Sequence, residues 1–306
     1  MIVLVTGASG FLGTALSARL TAAGHTLRIL TRNAQATSDR LPEGTRTFTW
    51  PAGGPVPDAA LDGVDAVVHL AGENIGQWPW SPSRKRRILE SRVQGTRALV
   101  DAIGRAARKP SVLAAASGVG YYGDGGEDWL DESAPAGRGF LAEVCVQWER
   151  ESLRAESLGV RTVVVRNGLV LGRGGALEKM LPAFRLGLGP VLGSGGQWWS
   201  WIHIEDTAGI FAFALDNPAL RGPVNGTAPD PVRQRDFALA LAAAVHRPRW
   251  IRVPAPALRL GLGEMAATLL EGQRTDGKKL AAMGYAFRYP RIGLALGNIT
   301  SGAGHA

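Results

Sequence analysis

Short apolar runs rich in β-branched residues recur along the first half of the chain, and segments with helical spacing lie between them. After the first run, Leu12, Leu16 and Leu20 fall at every fourth position, which is typical of a helix. The predicted strands cover residues 2–6, 26–31, 45–50, 64–71, 112–117 and 162–167, and two longer helices cover about 83–107 and 139–158. Strands that alternate with helices require crossover connections, so the pattern predicts an α/β fold with a doubly wound parallel sheet.

Beyond about residue 170 the pattern changes, because Gly and Pro interrupt the periodic segments. Helices are predicted near 205–216, 232–246 and 256–271, with short strands at 223–226 and 250–253. We expect a nucleotide-binding domain over 1–170, with parts of 199–225 as further candidates for it. A smaller substrate lobe is expected over 171–306, closing over the carboxyl ends of the strands, where open α/β sheets bind ligands.

Composition narrows the class of protein. Hydrophobic residues make up 45% of 306 positions, which is ordinary for a globular chain. Cys145 is the only cysteine, so an internal disulfide is excluded and a reducing compartment is favoured. No apolar run approaches the roughly 18 residues of a membrane span. The N-terminus resembles a first strand and not a signal peptide. We therefore expect a cytoplasmic protein with no membrane partner.

The net charge of +8 suits an anionic cofactor or substrate. Nucleic acid is the rival partner, and its best candidates are the basic segments at 83–87 and 247–252. Neither alternates with aromatic residues in a recognisable binding motif. We interpret both as solvated helix faces and predict no nucleic-acid partner. No metal site is predicted.

Three glycines, Gly7, Gly10 and Gly13, separate the first strand from the first helix. Such a turn needs residues without a Cβ, so that the backbone can approach a pyrophosphate and the helix can pack close to the strand. The helix N-terminus then offers free N–H groups to the phosphates. A turn without a ligand is the alternative, but strand, spacing and helix together favour a dinucleotide cofactor in a Rossmann fold.

The end of the second strand indicates which cofactor is bound. An acidic residue there would hold the ribose 2′-hydroxyl of NAD. This chain instead has Thr31 and Arg32. An arginine can pair with the 2′-phosphate of NADP through two parallel hydrogen bonds. The alternative is a solvent-facing arginine at a strand end, and we favour NADP(H).

Longer motifs identify a family. The GxxGxxG spacing, HLAGEN (69–74) and SGVGYYGD (117–124) resemble the extended short-chain dehydrogenase/reductase superfamily. AGENIG, ESR, VQWE, VVVRNGLVLGRGGAL and WSWIHIEDTAGIF resemble its atypical "epimerase family protein" group, whose members are also labelled sugar-nucleotide-epimerase-like. LLEGQR and the segment after it resemble that group's C-terminal domain of unknown function. The resemblance covers essentially the whole chain.

The resemblance implies a doubly wound NAD(P)-binding domain with a small substrate lobe, and it does not imply a known reaction. It suggests cofactor contacts along the carboxyl edge of the sheet. These are Gly7, Gly10, Phe11, Leu12, Gly13, Thr31, Arg32, Leu70, Ala71, Gly72, Arg92, Val165, Arg166, Asn167 and Gly168.

The catalytic residues of the superfamily are incomplete here. Its members use a serine after the fifth strand, a tyrosine that transfers the proton, and a lysine four positions later that lowers the tyrosine pKa. Ser117 occupies the place of the serine, where its hydroxyl would donate to a substrate oxygen. The tyrosine and lysine places hold Leu141 and Cys145. These two lie on an apolar helical stripe, so Cys145 is interpreted as core packing, with a catalytic thiol as the alternative.

Other polar residues remain candidates for the chemistry. Tyr121 or Tyr122 is a displaced acid or a loop anchor, and Glu73, beside Asn74, is a base or a cap. His203 is favoured as a structural histidine over a catalyst, and Asp206 is predicted to be the N-cap of the next helix. Trp198, Trp199 and Trp201 line either the substrate pocket or the core of the lobe.

Two functions are compatible with these observations. One is an NADP(H)-dependent oxidoreductase or epimerase-like enzyme acting on a small polar substrate through Ser117 and one of the two tyrosines. The other is an NADP(H)-binding regulatory or sensor protein without turnover. The sequence favours the enzyme and leaves the oligomeric state open, with a homodimer as one alternative.

Overall fold

A seven-stranded parallel sheet forms the centre of the molecule. The structure is a computed structural model, and it describes residues 1–35, 44–51, 53–248 and 251–301. The strand order is β11-β6-β5-β4-β1-β2-β3. The strands are β1 (Ile2–Thr6), β2 (Thr26–Thr31), β3 (Arg46–Thr49), β4 (Ala66–His69), β5 (Val112–Gly118), β6 (Arg161–Asn167) and β11 (Gly222–Gly226). The doubly wound parallel sheet expected from the sequence is confirmed.

Helices cover both faces of the sheet, and the side chains of each strand alternate between the two layers. Val3 and Val5 of β1 pack towards one helical layer, while Leu4 between them packs into the other. The described α-helices are α1 (Phe11–Ala22), α2 (Pro82–Arg105), α3 (Phe140–Leu153), α4 (Gly175–Arg185), α5 (Ile204–Asp216), α6 (Gln234–Ala244), α7 (Ala255–Leu262), α8 (Ala267–Leu270), α9 (Lys278–Ala282) and α10 (Ile292–Thr300). Burial on both faces explains why the strands read as continuous apolar runs.

The last strand of the sheet comes from the second half of the chain. Residues 223–226 were predicted to be a strand, with parts of 199–225 as candidates for the first domain, and β11 pairs in parallel with β6, with Val224 opposite Val165. An edge strand tolerates Pro223, because one side of it needs no ladder partner. The helix before it, α5, packs against α1. Residues 204–226 therefore complete the sheet domain.

The smaller lobe has its own apolar core. Trp199, Trp201 and Phe237 are buried in it, between α4, α6 and α10. Short strand pairs connect its segments: β7 (Leu169–Leu171) with β10 (Trp201–His203), β8 (Val191–Leu192) with β13 (Arg252–Val253), and β9 (Trp198–Trp199) with β12 (Val232–Arg233). In the strand predicted at 250–253, residue 250 lies outside the described residues. Among those described, no helix is both long and apolar enough to cross a bilayer.

Candidate functional site

The turn between β1 and α1 can be built only with glycine at two of its positions. Gly7 has a φ of +73°, and a Cβ on it would lie 2.9 Å from the backbone nitrogen of Ala71. A Cβ on Gly13 would lie 2.1 Å from the carbonyl oxygen of Gly7. The missing side chains thus let the first helix pack against the strand and let the loop after β4 approach the turn.

Gly10 differs from these two because its space opens to solvent. It is exposed, has ordinary extended backbone angles, and is the N-cap of α1 with no side-chain cap bond. The first N–H groups of a helix have no partner within the helix. With no capping side chain in the way, the N-terminus of α1 can receive an anionic group such as a pyrophosphate.

The two residues after Gly10 are held by packing. The ring of Phe11 faces a second glycine-rich loop, where a Cβ on Gly172 would come within 2.7 Å of it and one on Gly174 within 3.0 Å. Leu12 packs against the apolar core beneath the sheet. The glycine-rich loop after β7 therefore packs closely against the start of α1.

A buried hydrogen-bond network holds the loop after β4 in place. Thr6 Oγ1 accepts from the backbone N–H groups of Leu70 and Ala71, at 3.2 and 3.1 Å. It therefore donates its own proton to Nδ1 of His69, 2.7 Å away, and Nε2–H of His69 donates to Thr96 Oγ1 at 2.9 Å. Complete burial lowers the pKa of His69 to about 4, so the imidazole stays neutral. His69 thus helps to hold the loop after β4 in place.

Arg32 lies just past the end of β2 at the same edge of the sheet. It is exposed, and it makes no ion pair with any residue that the structure describes. Thr31, the last residue of the strand, is half-buried. Residues 36–43, the next segment of the chain, lie outside the described residues.

Arg92 extends from α2 to the loop after β4. Its guanidinium lies 2.9 Å from where a Cβ on Gly72 would be, and its Nη1 donates to the carbonyl oxygen of Glu73 at 3.0 Å. It also stacks over the ring of Trp148 at 4.9 Å. Burial lowers the pKa of the guanidinium, while the nearby Cys145 opposes that shift. A cation therefore stands beside the position where the superfamily keeps its lysine.

Leu141 and Cys145 are packed as the apolar stripe predicted. Leu141 lies against Gly120, where an added Cβ would be 3.2 Å from its own Cβ. Cys145 is buried, and burial, reinforced by the carboxylate of Glu149, raises the pKa of its thiol to about 11. A thiol of that kind is protonated at neutral pH and is a poor nucleophile.

The hydroxyl of Ser117 is engaged by a neighbouring carboxylate. It donates to Oε1 of Glu149 at 2.7 Å, in the interior. Oε1 also accepts from Nε of Arg166, and Oε2 accepts from its Nη2, both at 2.9 Å. For Ser117 to donate to a substrate oxygen, as expected from the sequence, this bond to Glu149 would have to break, because the hydroxyl has a single proton.

The two tyrosines after Ser117 are in different environments. Tyr122 is buried, donates to Oδ1 of Asn225 at 2.7 Å and accepts from Arg166 at 3.0 Å. This arrangement favours the loop-anchor alternative for Tyr122. Tyr121 is half-buried, and its ring lies 3.5 Å from the guanidinium of Arg166. Its hydroxyl makes no hydrogen bond within the described part of the chain.

The end of β6 holds four residues for which the resemblance implies cofactor contacts. The side chains of Val165 and Arg166 are buried, and the guanidinium of Arg166 is bound to Glu149 and Tyr122. Their side chains face the interior, and their expected cofactor contacts stay a prediction. Asn167 and Gly168 are half-buried at the strand end. Asn167 Oδ1 is buried without a partner among the described residues, and its Nδ2 donates to the carbonyl oxygen of Ser117.

The remaining candidates stabilise the fold. Glu73 pairs with Arg84 at 3.5 Å, and Asn74 Oδ1 accepts from the N–H of Gly76, which favours the structural alternatives for both. His203 is buried and its Nδ1 accepts from the N–H of Glu205, so His203 is the N-cap of α5.

Asp206 was predicted to be that N-cap, and this prediction is wrong. Its carboxylate instead accepts from the backbone N–H groups of Arg288 and Tyr289, at 2.7 and 2.9 Å, and so anchors the C-terminal segment. Trp199 and Trp201 belong to the lobe core, while Trp198 is partly exposed between Arg233 and Arg274. No cluster of potential metal ligands occurs among the described residues.

Sequence reasoning missed Glu149 and Asn225 as members of the polar cluster around Ser117. Glu149 closes the VQWE motif and lies one helical turn after Cys145, on the same face of α3. An acidic residue on an otherwise apolar helical stripe is unusual, and this feature of the sequence could have identified Glu149. Asn225 lies in the short strand β11 and had no comparable signal.

Comparison with known proteins agrees with this architecture. The model of the NAD dependent epimerase/dehydratase family matches residues 3–225, and that of a domain of unknown function, DUF1731, matches residues 253–299. "Epimerase family protein SDR39U1 homolog, chloroplastic" of Arabidopsis thaliana is 41% identical over 299 residues, which cover 97% of this chain and 86% of that protein. "Epimerase family protein YfhF" of Bacillus subtilis is 37% identical over 98% of both chains.

A solved structure is similar over the same length. It is that of human epimerase family protein SDR39U1 with NADPH, with a TM-score of 0.86 and 35% identity over 99% of this chain and 100% of that one. UDP-glucose 4-epimerase of Thermus thermophilus with NAD has a TM-score of 0.76 at 21% identity, which bears on the fold alone. These matches confirm the family resemblance. The compartment of this chain stays a prediction.

Proposed function

The chain belongs to the NAD dependent epimerase/dehydratase family, and from this premise we propose that it is an NADP(H)-dependent oxidoreductase or epimerase-like enzyme acting on a small polar substrate. The observation that carries the proposal is the glycine turn. Gly7 and Gly13 have no room for a Cβ, while Gly10 leaves the uncapped N-terminus of α1 open. Such a turn fits the pyrophosphate of a dinucleotide.

The residues at the edge of the sheet suit NADP(H) better than NAD(H). Arg32 stands exposed at the end of β2, and no acid there would hold an unphosphorylated ribose. Its guanidinium would pair with the 2′-phosphate. The relative solved with NADPH supports the same choice. The loop at 70–72, held by Thr6 and His69, would lie along the ribose and pyrophosphate.

When bound, the cofactor supplies or accepts a hydride. The chain must then hold the substrate and supply a proton. Tyr121 is the proposed proton donor, since its hydroxyl is not engaged by any described residue, whereas that of Tyr122 is. Arg92 supplies, from the neighbouring helix, the positive charge that a lysine at position 145 would have supplied.

Turnover distinguishes an enzyme from a sensor. The protein is mixed with NADPH and a panel of aldehydes, ketones and keto sugars, and separately with NADP⁺ and the matching alcohols, while nicotinamide absorbance is followed. We expect sustained conversion with at least one pair, lowered by about a hundredfold or more in Tyr121→Phe. Tight NADP(H) retention with no conversion across the panel would instead support the regulatory or sensor alternative.

A further inference from the structure

Glu149 lies at the centre of a buried polar cluster that the proposed function does not yet use. Its side chain accepts one hydrogen bond from Ser117 at 2.7 Å and two from Arg166 at 2.9 Å. Glu149 and Ser117 each have 5% of their surface exposed, and Arg166 has 3%. The three residues come from α3, β5 and β6, so the cluster links a helix to the two strands whose ends flank the cleft.

The charge of the cluster determines the direction of its hydrogen bonds. A carboxylate held by two parallel bonds from an arginine is ionised, and an ionised carboxylate only accepts. Ser117 has a single proton, so that proton must point to Glu149. What remains of the hydroxyl, at the carboxyl end of β5, is its lone pairs. Burial raises the pKa of the Cys145 thiol to about 11, so the thiol stays protonated and does not compete with Glu149 for the proton of Ser117.

We propose that Glu149 is a positioning residue that makes Ser117 a hydrogen-bond acceptor towards the cleft, and that the site thereby selects a ligand with a hydroxyl or amine donor over one with a carbonyl oxygen. This proposal rests on the proposed function and adds the class of substrate group that Ser117 contacts. A carbonyl oxygen placed on the lone pairs of Ser117 would find no donor there, and leaving a buried acceptor unpaired weakens binding.

The position of Glu149 on α3 relates it to the missing catalytic pair. Leu141, Cys145 and Glu149 follow one another at four-residue intervals on the same helical face. Leu141 and Cys145 are packing residues here. Glu149, one helical turn further along the chain, provides the charged contact to Ser117. The helix α3 therefore contacts Ser117 through a carboxylate, which accepts a hydrogen bond from the serine hydroxyl.

The direction of the Ser117 proton can be observed without knowing the substrate. Neutron diffraction from deuterium-exchanged crystals of the full chain locates the deuteron on Ser117 Oγ. We expect it on the line to Oε1 of Glu149. A deuteron directed into the cleft would overturn the proposal. Because this measurement requires neither cofactor nor turnover, its outcome is independent of whether the protein proves to be an enzyme.

Binding of two simple probes tests the selection itself. Cyclohexanol and cyclohexanone differ only in whether the oxygen can donate, and their affinities for the NADP⁺-loaded protein are compared by ligand-observed NMR. We expect a preference for the alcohol, reduced about tenfold in Ser117→Ala and in Glu149→Gln, as for the loss of one hydrogen bond. Ser117→Ala keeps the test valid if Glu149→Gln fails to fold.

Glu151→Gln is the matched control for Glu149→Gln. Glu151 lies on the same helix, is also buried and is also paired with arginines, at 2.8 Å to both Arg97 and Arg154. It does not contact Ser117, so its variant should keep the alcohol preference. A wild-type preference for the ketone, or equal losses in the two glutamate variants, would contradict a specific role for Glu149.

Discussion

The hydroxyl of Tyr122 donates a hydrogen bond to Oδ1 of Asn225 across 2.7 Å, joining the segment after β5 to the edge strand β11. The same hydroxyl accepts from Arg166 at 3.0 Å. Burial raises the pKa of Tyr122 to about 12. A phenol with two buried partners stabilises the fold, and it is poorly placed to transfer a proton to a ligand.

Replacing each tyrosine by phenylalanine separates structural from chemical roles. Tyr122→Phe leaves Asn225 Oδ1 and Arg166 short of a partner, so we expect a loss of about 1–3 kcal/mol in the free energy of unfolding by urea. Tyr121→Phe should keep stability and NADP(H) affinity, and should lower any turnover found by about a hundredfold or more, as for loss of a general acid. If Tyr121→Phe retains full turnover, the proton comes from another group.

Replacing two glycines of the turn by alanine should have different effects on stability and on NADP(H) affinity. A Cβ on Gly10 would lie 3.2 Å from the carbonyl oxygen of Gly7, a tight contact at the N-cap of α1, so Gly10→Ala should lower stability only modestly and weaken NADP(H) binding by about tenfold or more. Gly13→Ala places a Cβ 2.1 Å from that oxygen and should destabilise the protein. Calorimetric titration and thermal unfolding measure the two effects.

A distant glycine provides the control for this pair. Gly261 has open space around its missing Cβ, so Gly261→Ala should change neither cofactor affinity nor, to any large extent, stability. Unchanged NADP(H) affinity in Gly10→Ala would show that the turn does not receive the cofactor as proposed.

The thiol of Cys145 should be slow to react. With a pKa of about 11, roughly one thiol in a thousand is ionised at pH 8, against about a quarter for a free cysteine. Iodoacetamide should therefore modify Cys145 at least about a hundredfold more slowly than an exposed cysteine, such as one introduced as Ala136→Cys in a Cys145→Ala background. Comparable rates would revive the catalytic-thiol alternative. Cys145→Ala itself should bind NADP(H) normally.

His69 should make the protein sensitive to mild acid. Its pKa is about 4 in the folded state, against an ordinary value of 6.5, so between these values the unfolded chain binds more protons. Stability should thus fall as pH falls from 6.5 towards 4, by roughly 1.4 kcal/mol per pH unit. Urea unfolding at several pH values should show a shallower dependence for His69→Asn. The exposed His246, replaced by asparagine, should leave the wild-type slope unchanged, and a wild-type slope in His69→Asn would exclude this role.

Local patterns predicted most of the strands, since buried parallel strands are continuous apolar runs, and only the folded chain shows the order of the strands in the sheet. They left β11 open between the two lobes, because GPVNG is short and contains a proline, and only its pairing with β6 shows that it belongs to the sheet. The predicted helix at 139–158 is α-helical only to Leu153 and ends in a 3₁₀ turn.

In the candidate site, too, the features that depend on local sequence could be predicted, and those that depend on contacts between distant residues could not. The glycine turn before α1 and the place of Arg32 after β2 could be predicted, because both depend on local spacing. The bond between Ser117 and Glu149 joins residues 32 positions apart, and that between Asp206 and Arg288 joins residues 82 apart. No periodicity signals such pairs, so the proton of Ser117 and the anchoring role of Asp206 could be determined only from the folded chain.

Cofactor choice is the central claim, and calorimetric titration of the wild-type protein with NADPH and with NADH tests it most directly. A charged hydrogen bond from Arg32 to the 2′-phosphate is worth roughly 1.5–3 kcal/mol, so NADPH should bind about 10- to 150-fold more tightly than NADH. Arg32→Asp should abolish that preference or reverse it. Equal affinities of the wild-type protein for the two cofactors, or a preference for NADPH that survives in Arg32→Asp, would contradict the account.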